Sequence, residues 1–293
     1  MERLILRQRN NHRVGAIPLP IDKRQIRGAE ISAEPYSNMF LCGKKKSGKS
    51  SVIFYLLKNF VGKKTKVIIF CSTFFKDKSY IEIRNWMKKN NVEYEAYEDL
   101  YEDGVNKLQE IINELDEEAK AREKAKEEEK EEEIDHHEVI KKLLGRTPHD
   151  EQKEKENKKE KKEKLLSPEY IFVFDDLSHQ LKDPSINRTI CKNRHYLCKT
   201  IISSQYWNHL DKATRKQIDI FILFRSLPPE KIKEIVLDSD ISIPWERLYQ
   251  IYRQATKEPF SFLYLATAND ELRQNFNKEI VLQGDENTDT TEN

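Results

Sequence analysis

The sequence predicts an α/β fold in which a parallel sheet is sandwiched by helices. Three observations predict it. Five short runs carry an apolar stretch: "NMFLCG" (38–43), "KVIIFCS" (66–72), "YIFVFDD" (170–176), "KTIISSQ" (199–205), where it is only Ile201 and Ile202, and "DIFILFR" (219–225). Stretches of helical character, such as 49–60 and 77–90, lie between them. The join between the first run and the first helical stretch is "GKKKSGKS" (43–50), built from glycine, lysine and serine. Unbroken apolar runs rich in Val, Ile and Phe suit strands covered on both faces. Their alternation with helices sets successive strands parallel.

Taken in order, the first 30 residues hold Arg3, Arg7, Arg9, Arg13, Lys23, Arg24 and Arg27 against Glu2, Asp22 and Glu30, a charge of +4. This basic arm, 1–35, serves either solubility or contact with a polyanion. One domain then extends over 36–270, interrupted at 114–164. That segment has 34 charged residues, 19 acidic and 15 basic, for a net of −4 in a chain of net +1. Its first part, "ELDEEAKAREKAKEEEKEEE", carries opposite charges at i,i+4 and lacks the apolar stripe of a packed helix. It reads as a solvated helical insertion between two core strands, or as a projecting arm that meets a partner. "TPHD" (147–150) breaks it in two. "RLYQIY" and "FSFLYLA" suggest an edge hairpin, and the tail over 271–293, ending "QGDENTDTTEN", is polar and expected to be partly disordered.

The four cysteines, at 42, 71, 191 and 198, form no C-x-x-C pair. Cys42 and Cys71 lie in apolar runs, where cysteine acts as a small hydrophobe, and a reducing compartment fits. The start "MERLILRQRN" lacks the apolar core of a signal peptide, and no run approaches the roughly 20 apolar residues that span a bilayer. The expected protein is soluble and intracellular.

"GKKKSGKS" is G-x-x-x-x-G-K-S, with Gly43, Gly48, Lys49 and Ser50 at the fixed positions. Backbone N–H groups turned inward wrap phosphate oxygens, and glycines permit the dihedrals this needs. The next helix then points its N-terminus at the anion. Lys49 reaches the β- and γ-phosphates, and the Ser50 hydroxyl takes a place on magnesium. The loop Gly43, Lys44, Lys45, Lys46, Ser47, Gly48, Lys49, Ser50 and Ser51 is thus the expected nucleotide-binding segment of a P-loop NTPase. Lys44, Lys45 and Lys46 either add positive field at its mouth or are solvated loop residues.

A P-loop needs a carboxylate on a neighbouring strand for the metal's water shell. "YIFVFDDL" ends in Asp175, which would orient magnesium, and Asp176, which could act as general base on the attacking water. "IISSQYW" ends with Gln205, placed to reach the γ-phosphate or that water. Arg194, His195 and Arg215 lie close by in sequence; a basic residue from a neighbouring subunit can stabilise the transition state. For His195 a structural role is the default.

The intact P-loop, then "FVFDDL" and "NRHYLCKTIISSQYWNHLDKATRKQIDIFILFR", resembles the FtsK–HerA superfamily of DNA-pumping ATPases. The likeness is greatest to the genome-packaging ATPases of nucleocytoplasmic large DNA viruses, virophages and Polinton-like viruses. "FCSTFFKDKSY" resembles the family's Ser/Thr-bearing loop. The resemblance covers about 36–270 without the insertion. It implies a RecA/FtsK–HerA-like sheet, ATP and Mg2+ as cofactors, Gly43, Gly48, Lys49 and Ser50 on nucleotide, Asp175 on magnesium, Asp176 as base and Gln205 as sensor. For the arginine acting in trans it implies Arg215 before Arg194. It further implies a homo-oligomeric ring, a hexamer, that threads double-stranded DNA into a preformed capsid, with capsid or portal-vertex proteins as partners in the host cytoplasm or a virus factory. The second acid is Glu in many relatives and Asp176 here, and the charged insertion matches no family element.

Rival readings share parts of this pattern. A RecA-type helicase or remodelling ATPase would use the same site, but beyond Tyr206–Trp207 no set of stacking aromatics marks a single-strand channel. A GTPase lacks its N-K-x-D stretch, and a small-molecule kinase its short Arg-rich lid. A nucleotide-binding assembly protein without motor activity remains the reading from another class.

Overall fold

The structure, a computed structural model, describes residues 24–143, 165–239 and 241–282, with side chains of the long helix to residue 128. A two-residue strand, β1 (Gln25–Ile26), comes first. β2 (Asn38–Cys42) feeds α1 (Lys49–Phe60) through the glycine-lysine loop. β3 (Lys66–Cys71), α2 (Lys78–Lys89) and β4 (Glu93–Tyr97) follow. A tight hairpin of β5 (Tyr101–Glu102) and β6 (Val105–Asn106) leads into α3 (Lys107–Leu143). β7 (Leu165–Leu166) pairs in parallel with β1. Next come β8 (Tyr170–Asp175), α4 (Pro184–Cys191), β9 (Cys198–Ser204) and the short α5 (Lys212–Arg215). β10 (Ile220–Phe224), α6 (Pro229–Asp238), α7 (Trp245–Ala255), β11 (Phe262–Ala266), β12 (Glu271–Gln274) and β13 (Lys278–Glu279) complete the chain.

The main sheet runs in the order β13-β12-β11-β10-β2-β9-β8-β3-β4. From β10 to β4 every pairing is parallel, and β11, β12 and β13 add an antiparallel flank. The sheet is therefore mixed rather than wholly parallel. Alternate residues of each central strand feed two separate cores. Phe40, Phe172 and Phe174 face α3, α4, α6 and α7, while Met39, Leu41, Ile171 and Val173 face α1 and α2. Two covered faces explain why these strands read as unbroken apolar runs. Among the described residues no helix is long and apolar enough to cross a membrane.

Several expectations are corrected. "RLYQIY" is not a strand but part of α7: Leu248, Tyr252 and Ala255 recur at helical spacing and are buried together. The hairpin is made instead by β11 and β12, so the fold continues past residue 270. β4 escaped the apolar criterion because it is an edge strand, where Glu93 and Glu95 pair with Lys66 of β3. At the other end, Ile31 and Ser32 are buried, so the fold takes in the arm from residue 24.

The charged segment is not freely solvated at its start. Its helix begins at Lys107, and Leu108, Ile111, Ile112, Leu115 and Ala119 are buried. Asp116 accepts from the Tyr196 hydroxyl at 2.9 Å and pairs with Arg188 and Lys192. Burial raises the Asp116 pKa, but these partners outweigh it and hold the carboxyl below its ordinary range. Further along, Arg122 meets Glu169, and Glu118 accepts from the Tyr170 hydroxyl. Residues 1–23, "TPHD" and the tail from 283 lie outside the described residues.

Lys199 of β9 is fully buried and fastens the segment before β2 to the sheet. Its Nζ donates to Ser32 Oγ (3.1 Å), Glu34 O (2.6 Å) and Ser37 Oγ (3.0 Å), and lies 4.5 Å from the Phe60 ring centroid. Burial pulls its pKa down to about 7, against the opposing charges of Asp219 and Glu34. The unfolded chain keeps this proton to near the ordinary lysine value, so it binds more protons than the folded chain above about pH 7. Stability therefore rises with pH from that point, as the buried charge is relieved. Urea unfolding at pH 7 and pH 10 is expected to show this rise, and Lys199→Met is expected to flatten it. An unchanged rise in the variant would assign the effect to another group.

Candidate functional site

The loop between β2 and α1 needs its two glycines for different reasons. A Cβ on Gly43 would lie 2.7 Å from Phe224 Cβ and from Ser47 Oγ, so only glycine fits between loop and β10. Gly48 has φ +101°, a conformation that side chains resist. It caps α1 without a side-chain hydrogen bond, and no acidic residue occupies the first turn. The first N–H groups of a helix lack intrahelical partners, so this end of α1 presents donors and the positive end of its dipole. Lys49 Nζ donates to the carbonyls of Gly43 (2.8 Å) and Lys44 (3.0 Å), folding back over its own loop. Burial lowers the Lys49 pKa, opposed chiefly by the charge of Asp175. Ser47 Oγ is buried with no hydrogen-bond partner.

The facing wall comes from the ends of β8 and β9. Register sets Cys42 beside Ser204, and Ser203 beside Asp175. With β9 between them, β2 and β8 end two strand spacings apart, about 10 Å. Asp175 is only 7% exposed, and Tyr80 of α2 donates its hydroxyl to Asp175 Oδ2 at 2.7 Å. Burial pushes the Asp175 carboxyl up; Ser203, Tyr80 and the charge of Lys49 oppose this without cancelling it. The Ser203 hydroxyl beside it is buried and lacks a well-aligned hydrogen bond. Asp176 is exposed, with φ +54° in the left-handed region. Gln205 is half-buried, and its backbone carbonyl accepts from Lys231 Nζ at 2.9 Å.

These walls enclose one cleft of about 500 Å³. It brings together Lys45, Lys46, Ser47, Gly48, Lys49, Ser50 and Ser51 with Asp175, Asp176 and Gln205. Gly43 and Lys44 lie behind the lining and contribute the carbonyls that hold Lys49. Thr73, Asp77, Ser79, Tyr80, Ser203, Ser204 and Phe260 also line it. Thr73 to Tyr80 fall in the Ser/Thr-bearing stretch, but Tyr80 reads in sequence as an ordinary core aromatic. Nothing in sequence spacing marks Phe260.

The two arginines are elsewhere. Arg215 donates from Nε to the Leu210 carbonyl (3.0 Å), pairs with Asp238 and stacks over Trp207, leaving its side chain 12% exposed. These partners hold the Arg215 side chain against its own chain. Arg194 is exposed and lies with His195 in a separate hollow beside Asn38 and Asp219, at the opposite ends of the strands.

Among the described residues no group of three or more His, Cys, Asp or Glu side chains stands ready to hold a metal. Magnesium commonly binds through one or two carboxylates plus substrate phosphates. One buried carboxylate, the Ser50 hydroxyl and unpartnered buried hydroxyls in one cleft fit an ion that arrives with a polyphosphate.

No protein-family model and no curated protein matches the chain. Solved structures do. The DNA-packaging ATPase B204 from Sulfolobus turreted icosahedral virus is 17% identical with a TM-score of 0.48, over 82% of this chain and 97% of that one. The genome packaging NTPase B204 from Sulfolobus turreted icosahedral virus 2, in complex with ATP-gammaS, is 17% identical with a TM-score of 0.46, over 83% and 97%. The cytoplasmic domain of the Type VII secretion ATPase EccC from Thermomonospora curvata is 13% identical with a TM-score of 0.42, over 85% of this chain and 26% of that one.

The Tyr80–Asp175 bond gives a direct test of the site's construction. Tyr80→Phe leaves a buried carboxylate oxygen without its donor, which is expected to destabilise the fold by about 1–3 kcal/mol in urea unfolding. An unchanged midpoint would mean that the two groups do not meet.

Proposed function

We propose that the chain is a magnesium-dependent ATPase of the P-loop class, on a RecA/FtsK–HerA-like sheet, that drives double-stranded DNA into a preformed capsid as a hexameric ring. The observation that carries the ATPase reading is the shared cleft: the loop 45–51 and the acids 175–176 line the same space. The packaging activity is what the motif resemblance implies, and it is also the activity for which B204 is named. The implied partners are duplex DNA and capsid or portal-vertex proteins, met in the host cytoplasm or a virus factory.

Phosphoryl transfer asks mainly for positioning and charge neutralisation. The backbone donors of 43–51 cradle the phosphates, and Lys49 leaves its two loop carbonyls for phosphate oxygens. The Ser50 hydroxyl and Asp175 would hold magnesium, which would supply positive charge against the phosphate oxygens. Tyr80 donates to Asp175 Oδ2 and so holds the carboxylate in place. Asp176, exposed beside the buried acid, accepts the proton of the water that attacks the γ-phosphorus in line, as the bond to the ADP oxygen breaks. Gln205 directly follows the strand between loop and acids, where it can register the γ-phosphate and pass the change on through Tyr206. Repeating one heterologous interface around a ring brings a surface remote from one subunit's cleft against the next subunit's cleft. Arg194, exposed and remote from its own cleft, suits delivery in trans; Arg215 does not.

Phosphate release by the purified protein, with and without duplex DNA, tests this reading. Wild type is expected to release phosphate faster with DNA. Lys49→Ala is expected to lose about 100-fold or more in rate, and Asp176→Asn to bind ATP without turning it over. Undiminished release by Lys49→Ala would place the chemistry outside this cleft. Wild-type release that DNA leaves unchanged would remove the motor and keep the ATPase.

A further inference from the structure

We propose that Phe260 is the platform on which the base of the bound nucleotide stacks. The inference rests on the reading of the cleft as a nucleoside-triphosphate site and names how that site takes the base.

Phe260 lies on the loop between α7 and β11, and three features set it apart. It is 71% exposed, while Phe224 and Phe262, whose rings pack on each other, are buried. It has φ +62°, and a bulky residue in that region is a genuine outlier. It lines the cleft over the phosphate loop, with Cδ1 3.6 Å from where a Cβ on Gly48 would stand.

The backbone around Phe260 is tied down on both sides. Ser261 donates to the Glu258 carbonyl from its backbone N–H (3.3 Å) and from Oγ (2.6 Å). Phe262 N–H donates to Asn275 Oδ1 (3.1 Å), and Asn275 N–H to the Phe262 carbonyl (3.0 Å). The loop therefore imposes the unfavourable dihedral and holds the ring out of the core. An aromatic kept for packing would have turned inward beside Phe224 and Phe262. Strained conformations of this kind persist where the surroundings over-determine them, and they cluster at ligand clamps.

Apart from Phe260, the cleft lining named above is polar or charged, save the buried Tyr80 and the backbone of Gly48. A triphosphate satisfies that polar part and leaves its base in need of an apolar face at the cleft mouth. A phenyl ring offers a π-face and no hydrogen-bonding group, so it recognises the flat face of a base and not its edge. Phe260 therefore contributes equally to ATP and GTP binding.

Equilibrium binding of Mg-ATP, Mg-GTP and magnesium tripolyphosphate to wild type, Phe260→Ala and Phe260→Trp tests this. Phe260→Ala is expected to weaken both nucleotides by about 5- to 100-fold, the range for losing a base–aromatic stack, and to bind tripolyphosphate within about twofold of wild type. Phe260→Trp is expected to keep nucleotide affinity, with indole fluorescence quenched by ATP and not by tripolyphosphate. Unchanged ATP affinity in Phe260→Ala would overturn the proposal, and so would an equal loss for all three ligands, which would make Phe260 a support of the loop. A wild-type protein that binds neither ATP nor tripolyphosphate would overturn the cleft reading and the base platform together.

Discussion

The cleft depends on one constraint: β9 is wedged in parallel register between β2 and β8. That pairing puts the end of the loop strand and the end of the acid strand level with each other and about 10 Å apart. A narrower gap would set Asp175 against the loop 43–50, and a wider one would part the two walls of the cleft. The connections then part. The loop after β2 leads to α1 on one face of the sheet, and the chain after β10 leads to α6 on the other. Crevices at the carboxyl ends of such strands are where open α/β sheets take their ligands.

The same geometry sets the electrostatics. Lys49 and Asp175 face the cleft from opposite walls, each partly or wholly withdrawn from water, and each helps to keep the other charged. Among the described residues neither has a full ionic partner within hydrogen-bond range: Lys49 is held by carbonyls and Asp175 by a tyrosine hydroxyl. Burying charge without full pairing costs stability. A ligand that brings anionic oxygens to the lysine and a cation to the carboxylate relieves both deficits at once. Strain at Asp176 and Phe260 lies on the rim of this cleft, on loops that join the sheet at the carboxyl edge of its parallel strands.

Much of this was legible in sequence where local chemistry is restrictive. A strand covered on both faces is mostly apolar, which exposed β2, β3, β8 and β10 and, through Ile201 and Ile202, β9. A loop that wraps an anion has to use glycine at fixed places, which exposed 43–50. The rest depends on contacts that spacing does not encode. β4 is half-polar because it is an edge, and α7 hid among aromatics whose helical spacing only its buried side reveals. The docking of α3 begins at Leu108, ahead of the charge run that drew attention to residue 114. Arg215 reads as a free cation until Asp238, 23 residues later, folds against it. Tyr80 and Phe260 earn their places only in three dimensions.

The central claim is that Ser50 and Asp175 serve one ion on one triphosphate. A double-mutant cycle on magnesium-dependent ATP binding, with Ser50→Ala, Asp175→Asn and the pair, tests it most directly. Two groups on one ion are expected to couple, with losses that fail to add by about 1 kcal/mol or more. Losses that add to within about 0.5 kcal/mol would mean that the two residues act on separate things, and would contradict the account.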